Sequence, residues 1–525
     1  MPDHALFPRR SGILLHPTCL PGPDGIGDLG PAAWRFVDWL AGHAQSLWQV
    51  LPLGPTSFGD SPYQTLSAFG GNPLLVSFER LQQDGWLAPD DLADRPALPR
   101  DRVDFGPVIA WKTAVLDRAF VNFCHRAGRD AWAAFEGWGA ANAAWLDDLA
   151  LFLALKEDHG GLPWPQWAPP LARREPAALA AARDRLAKRV DAHRFRQWLF
   201  ATQWDALRAH AHGRGVTLIG DIPIFVAHDS SDVWQRPDLF QLDADGRPLA
   251  VAGVPPDYFS ADGQLWGNPL YDWEANRREG YRWWCDRVRA CLAQVDLVRL
   301  DHFRGFEAYW RVPADATTAR EGAWVPGPGA DLFTALRRGL GGRLPLVAED
   351  LGVITAGVDA LREAFDLPGM KVLQFAWSGP DNAFLPHEQA PHAVVYTGTH
   401  DNDPVLGWWH HLATPEEKSL LAEYVGAPDA AAIREPHWTL IRLGLQSCAH
   451  TFLTTLPDVL GLGREARLNL PGADEGNWGW RLLPGALDGS EGGRLARLTW
   501  LYRRAPGQAA PVRRDPERPD AGDFE

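Results

Sequence analysis

Cysteine, lysine-plus-arginine charge and long apolar runs are all scarce in this sequence, and each scarcity excludes something. The 525 residues include five cysteines, Cys19, Cys124, Cys285, Cys291 and Cys448, odd in number and scattered. No pair has zinc or redox spacing, which predicts reduced thiols in a cytoplasmic protein rather than a disulfide framework. Basic residues number 51 against 66 acidic ones, a formal net charge of −15. That balance excludes nucleic acid and anionic membrane as natural partners, since both attract basic surfaces. The first ten residues lack the apolar stretch of a signal peptide. No run approaches the roughly 18 uncharged apolar residues that a membrane span needs. Neutral ligands remain open.

Cofactor and metal signatures are equally thin. His210 and His212 form an H-x-H pair, but on a helical stretch such side chains diverge. His410 and His411 are adjacent and do not easily share a face. The glycines around 339–342 lack the strand and the Lys-Ser/Thr of a phosphate-binding loop. No G-x-S-x-G elbow is present. The expectation is therefore an absence of metal and organic cofactor.

Tryptophan, by contrast, is abundant, with 26 residues against 8 tyrosines. Several occupy loop-like settings, among them Trp164, Trp167, Trp266, Trp324, Trp408, Trp409, Trp478 and Trp480. Indole faces suit the apolar faces of sugar rings, although tryptophan is also a common core residue. Eight short apolar runs read as strands, at 12–16, 47–53, 216–221, 296–301, 344–349, 371–376, 393–398 and 450–456. Helical spacing at 32–40, 281–292 and 358–365 separates several of them. Near-continuous apolar strands alternating with helices indicate a buried parallel sheet. Eight of them predict an α/β fold, a (β/α)8 barrel. More than 150 residues separate the second and third runs, and helical periodicity fills 111–155 and 176–212. A mainly helical insertion over about 60–212 is expected on the C-terminal loop face of one catalytic barrel spanning 1–504. A second insertion, a lid or loop, is expected over about 225–290. The Pro-, Arg- and Asp-rich stretch 505–525 is expected to be disordered.

Four of the runs end on acids: Leu218-Ile219-Gly220-Asp221, Leu297 to Asp301, Leu346 to Asp350 and Val395 to Asp401. In parallel barrels such ends converge at one mouth, where active sites lie. One acid after a strand is usually a turn residue or helix cap, but four in one chain suggest a carboxylate-lined cleft. Such a cleft suits glycosidic bond cleavage, in which retaining enzymes place two carboxyl groups about 5–5.5 Å apart. Arg299 and Asp301 leave one strand face, and the guanidinium is expected to keep Asp301 ionised. Asp350 beside Glu349 is expected to raise the pKa of that neighbour toward an acid/base role. Spacing alone does not choose which acid is nucleophile.

Longer segments add to this. SGILLHPTCLPGPDGIGDLG from Ser11, WQVLPLGPTSFGDSPYQ from Trp48, GDIPIFVAHDSSDVW from Gly220 and AGVPPDYFSADGQLWGNPLYDW from Ala252 occur in order. VRLDHFRGF from Val298, AEDLG from Ala348, KVLQFAW from Lys371, TGTHDND from Thr397 and LNLPGADEGNWGWR from Leu468 follow. Together they resemble the amylomaltase (4-α-glucanotransferase) family, glycoside hydrolase family 77, over about residues 10–503. The resemblance implies that Asp301 is the nucleophile, Glu349 the general acid/base and Asp401 the acid that stabilises the transition state. It implies that Arg299, His302 and His400 orient the nucleophile and hold the donor sugar. Tyr63 and Asp221 match substrate contacts, and Trp266 and Asn268 sit in the loop overhanging the acceptor side. The implied substrates are maltooligosaccharides and starch- or glycogen-derived α-1,4-glucans, with glucose as an acceptor, handled by a monomer or homodimer. Pro404, Thr455, Pro457 and Ala261-Asp262 depart from the residues usual in the family. The rival readings are an α-glucan hydrolase or phosphorolytic transferase on the same barrel, and a glucan-binding protein without turnover.

Overall fold

Alternation along a short strand demands two buried faces, and the chain supplies both. The computed structural model describes residues 7–256, 262–473 and 475–508. Its twelve strands are β1 (Arg10–Leu14), β2 (Leu47–Gln49), β3 (Thr217–Ile222), β4 (Ala250–Val254), β5 (Gln264–Pro269) and β6 (Leu297–Leu300), then β7 (Ala308–Pro313), β8 (Ala323–Pro326), β9 (Leu346–Ala348), β10 (Gly369–Val372), β11 (Ala393–Tyr396) and β12 (Thr451–Thr455). Eight form one parallel sheet in the order β10-β11-β12-β1-β2-β3-β6-β9. The Ala348 N–H donates to the Pro368 carbonyl at 2.9 Å, which brings β9 against β10 and curls the sheet into a barrel.

Leu14, Leu47, Ile219, Leu297, Val347 and Leu453 share an inner cluster with Met370 and Tyr396. Their sequence neighbours Ile13, Trp48, Leu218, Val298, Leu346 and Phe452 belong to the outer cluster, together with helix residues such as Phe36, Trp204 and Leu443. The barrel is thus filled inside and clad outside, as its apolar strands require. The cladding includes helices Pro31–Gly42, Arg282–Gln294, Gly329–Gly339, Pro436–Gln446 and Glu491–Leu501.

The long interval after β2 is helical. It contains Phe105–Arg126, Arg129–Ala141, Ala143–Asp158, Pro176–Arg185 and the 27-residue helix Ala187–Gly213 that feeds β3. Aromatic rings join these helices, with Phe123 and Phe195 centroids 4.8 Å apart and Phe135 and Trp198 at 5.7 Å.

Two expectations need correction. The interval between β3 and β6 is not loop followed by helix alone. It carries β4 and β5, which join β7 and β8 in an antiparallel sheet ordered β5-β4-β7-β8. These strands are interrupted by glycine and proline, and β4 pairs with β7 across the whole of β6, so local periodicity does not reveal them. Residues 373–376 are not strand, because the chain tightens into a 3-10 segment over Leu373–Ser378. Five of the eight tryptophans in loop-like settings, Trp164, Trp167, Trp408, Trp409 and Trp478, are buried, in keeping with tryptophan as a core residue. Residues 257–261 of the expected lid and 509–525 of the expected tail lie outside the described residues.

The end of the barrel unit is held by a buried cation. Arg504 is fully buried and donates to the carbonyls of Leu445, Arg10, His450, Gly444, Ser447 and Ala449. Gly444 and Leu445 belong to the last turn of helix Pro436–Gln446, whose carbonyls lack partners within the helix. Arg504→Ala should lower unfolding free energy by about 3 kcal/mol, since several charge-assisted bonds are lost at once. Urea denaturation followed by tryptophan fluorescence measures it.

Candidate active site

The acids at the strand ends meet at the barrel mouth around one guanidinium. Arg299 lies in β6 and is 3% exposed, while Asp301 follows two residues later on the same face. Arg299 Nη2 stands 2.8 Å from Asp301 Oδ1, and Nη1 donates to Asp221 Oδ2 at 2.7 Å. Burial opposes the charge on Arg299, but Asp221 and Asp301 outweigh it and raise its pKa well above the usual value. Asp221, at the end of β3, also accepts the Tyr63 hydroxyl at 2.9 Å. Burial pushes the carboxyl of Asp221 upward, against the pull of Arg299.

Glu349 closes the second side. Its Oε2 accepts the His302 N–H at 2.6 Å and its Oε1 the Leu351 N–H at 2.9 Å. The first bond depends on an unusual backbone, because His302 takes a left-handed φ of 51° just after β6. Such a conformation costs roughly 1–3 kcal/mol in a non-glycine residue, and here it turns an amide onto Glu349. Burial raises the Glu349 pKa to about 8, with Arg299 opposing and Asp301 reinforcing. Asp350, expected to supply that rise, does not face Glu349. Its carboxylate instead accepts the Met370 N–H at 2.6 Å and pairs with Arg362 at 3.2 Å. Sequence neighbours at a strand end point apart, which is why adjacency misled.

Asp401 sits on the loop after β11 and is partly exposed. Asn469 Nδ2 donates to its Oδ1 at 2.7 Å, and His400 Nε2 stands 3.3 Å from the same oxygen. Arg467 Nη2 donates to the Asp401 carbonyl at 2.6 Å, while Nη1 donates to buried Asp403 at 2.6 Å. Asn469, Arg467 and Asp403 were missed as site residues. They lie in segments that the family resemblance covers, but the pairing spans 68 residues and no local pattern signals it.

Ring contacts frame the cleft. Tyr63 stacks on His400, with centroids 5.1 Å apart and planes 16° off parallel. Trp478 lies 5.9 Å from Tyr63 and 6.1 Å from His400. Trp266 meets His302 edge to face at 4.9 Å. Burial lowers the pKa of His302 to about 4 and also lowers that of His400. Asn268 is buried, donates to the Val226 carbonyl at 2.9 Å and exchanges bonds with Gln64. Its amide thus ties β5 to the loop after β3. Pro404 begins helix Val405–His411, and Thr455 accepts the Asp458 N–H at 3.2 Å. Both departures have settled structural places. No cluster of three or more metal-binding side chains occurs among the described residues.

A parallel barrel that gathers several carboxylates, one shared guanidinium and flanking rings at its mouth has the build of an enzyme acting on glycosidic bonds. A family model described as 4-alpha-glucanotransferase matches residues 15–486. The chain is 51% identical over 504 residues to the 4-alpha-glucanotransferase of Thermus thermophilus, covering 95% of this chain and 99% of that one. It is 49% identical to the 4-alpha-glucanotransferase of Synechocystis sp., covering 94% and 98%. The solved amylomaltase from Streptococcus agalactiae in complex with acarbose superposes with a TM-score of 0.90 at 37% identity, covering 95% of this chain and 100% of that one. The chain belongs to the 4-α-glucanotransferase family.

With its pKa raised to about 8, Glu349 is protonated at neutral pH. A protonated-carboxyl infrared band at pH 7, absent from Glu349→Gln, should vanish as pH rises through about 8. A band lost already near pH 4.5, the ordinary glutamate value, would contradict this.

Proposed function

We propose that this chain moves α-1,4-glucan segments from a maltooligosaccharide, or from a starch- or glycogen-derived chain, to the 4-hydroxyl of glucose or another glucan. The route is a double displacement with retention, through a glycosyl ester on Asp301. One observation carries it: a buried guanidinium bonds Asp301, while Glu349 stands in the same site with burial pushing its pKa up to about 8. A nucleophile needs the first condition and a general acid needs the second.

In the first half, Glu349 gives its proton to the scissile oxygen as Asp301 Oδ attacks C1. The C1–O bond breaks and the reducing-end fragment leaves with the proton. Positive charge on the ring is stabilised by Asp401, whose carboxylate also suits the hydroxyls of that sugar. In the second half, ionised Glu349 removes a proton from an acceptor 4-hydroxyl, whose oxygen displaces Asp301 from C1. Arg299 orients Asp301 throughout, with Asp221 and Tyr63 completing its frame. Trp266 lines the approach for the acceptor from β5, which buried Asn268 ties to the segment after β3, and placing a sugar instead of water there favours transfer. A cytoplasmic setting is part of this reading, in keeping with five free thiols. So is assembly as monomer or homodimer.

Incubation with maltotriose and separation of products by length tests the reading. A ladder of longer maltooligosaccharides plus glucose is expected, and none from Asp301→Asn. Glucose and maltose alone would mean hydrolysis, and no product on any glucan would mean binding without turnover. Glu349→Gln should lower kcat by about 10²–10⁴. The kcat/KM of the natural protein should fall as pH rises through about 8, as the acid form of Glu349 is lost.

A further inference from the structure

Met370 stands inside the barrel against the guanidinium of Arg299. The chain holds two methionines, and the other is Met1. Met370 is fully buried, and its Sδ lies 3.4 Å from Arg299 Nε. Each of the three Arg299 nitrogens therefore faces a different partner: Nη1 an oxygen of Asp221, Nη2 an oxygen of Asp301, and Nε the sulfur of Met370.

The three partners differ in kind. Two are carboxylates at charge-assisted distances of 2.7 and 2.8 Å. The third is a neutral thioether, a weak acceptor. A buried N–H left without any acceptor is costly, so the sulfur relieves the Nε–H. Being uncharged, it does so without competing with Asp301 for the guanidinium. The two acids hold the outer nitrogens of the guanidinium, and the sulfur gives the inner Nε–H its acceptor.

The sulfur is placed by the closure of the barrel. The Met370 N–H donates to Asp350 Oδ1 at 2.6 Å, and Arg362 pairs with Asp350 Oδ2 at 3.2 Å. Gly369 admits this approach, because a Cβ there would run into the Asp350 carboxylate. Asp350 thus sets the start of β10 against the end of β9, and with it the position of Met370 under Arg299. The competing account is packing alone, since Met370 also fills the inner cluster beside Leu297, Val347 and Val372.

We infer that Met370 is a positioning residue of the active site, whose thioether sulfur accepts the Arg299 Nε–H and holds the guanidinium in line with Asp301. The inference rests on the proposed roles of Arg299 and Asp301. It separates from packing by one atom, because norleucine replaces the sulfur with a methylene of nearly the same shape.

With two methionines in the chain, the full-length protein can be produced with each replaced by selenomethionine or by norleucine. Maltotriose disproportionation and thermal unfolding are measured for the natural, selenium and norleucine proteins. Selenium keeps an acceptor, so kcat within about twofold of natural is expected there. Norleucine should lower kcat about tenfold with KM changed less than about twofold, since an interaction acting on the transition state is lost. Its Tm should fall by no more than a few degrees, the cost of one buried N–H left without an acceptor. Met370→Leu in otherwise natural protein is a second variant, expected to lose kcat in the same way. Natural kcat in either the norleucine or the leucine protein overturns the inference, as does equal loss with selenium and norleucine. A fall of kcat and Tm in the leucine protein, with both kept in the norleucine protein, assigns Met370 to packing and overturns it too. If the natural protein forms no longer glucans, the proposed function falls and this inference falls with it. A ladder from the natural protein with full norleucine activity rejects Met370 alone.

Discussion

A buried guanidinium between two carboxylates is the constraint on which the site is organised. Arg299 is almost wholly removed from water, and a cation in that position is tolerable only when paired and hydrogen-bonded. Asp221 from β3 and Asp301 from the end of β6 supply the pairing. The shared guanidinium ties two neighbouring strands, and the tyrosine bonded to Asp221, to one geometry. Glu349 sits in the same field without touching the guanidinium in a hydrogen bond. Burial therefore dominates its titration and pushes its pKa up to about 8.

The opposite wall is built on a different principle. Asp401 is on a loop and half open to solvent, so its position must come from its supports. Arg467 reaches both the Asp401 carbonyl and the buried carboxylate of Asp403, while Asn469 holds the Asp401 carboxylate itself. Tyr63, His400 and Trp478 add a slab of rings alongside. One wall is thus fixed by strands and a buried ion pair, the other by a network of charged hydrogen bonds around a loop. Supporting partners of this type commonly matter nearly as much as the groups they orient.

Much of the barrel was legible because its strands are short, apolar and bounded by punctuating residues. All eight runs correspond to parallel strands, with ends shifted by a few residues. Helices in the long interval after β2 were legible through their periodicity. The four-stranded antiparallel sheet was not, because β4 and β7 are joined across an entire barrel strand. Within the site, Arg299 and Asp301 could be placed together from their i, i+2 spacing. Glu349 next to Asp350 gave the wrong cause for a correct direction, since adjacent residues on an extended chain point apart. Asn469, Arg467 and Asp403 carry no local signature of their pairing with Asp401.

The sequence by itself determined which residues lie at the mouths of strands, which faces alternate, and which family the segments resemble. These are properties of spacing and residue type, which survive without coordinates. The tertiary structure alone decided what each acid feels. A pKa depends on burial and on charges a few ångströms away, and the groups that set those conditions come from β3, β6, β9 and β10. It likewise decided that a methionine sulfur, rather than an oxygen, meets the third nitrogen of Arg299. No spacing rule brings position 370 to position 299. Only closure of the barrel, strand by hydrogen-bonded strand, carries one to the other.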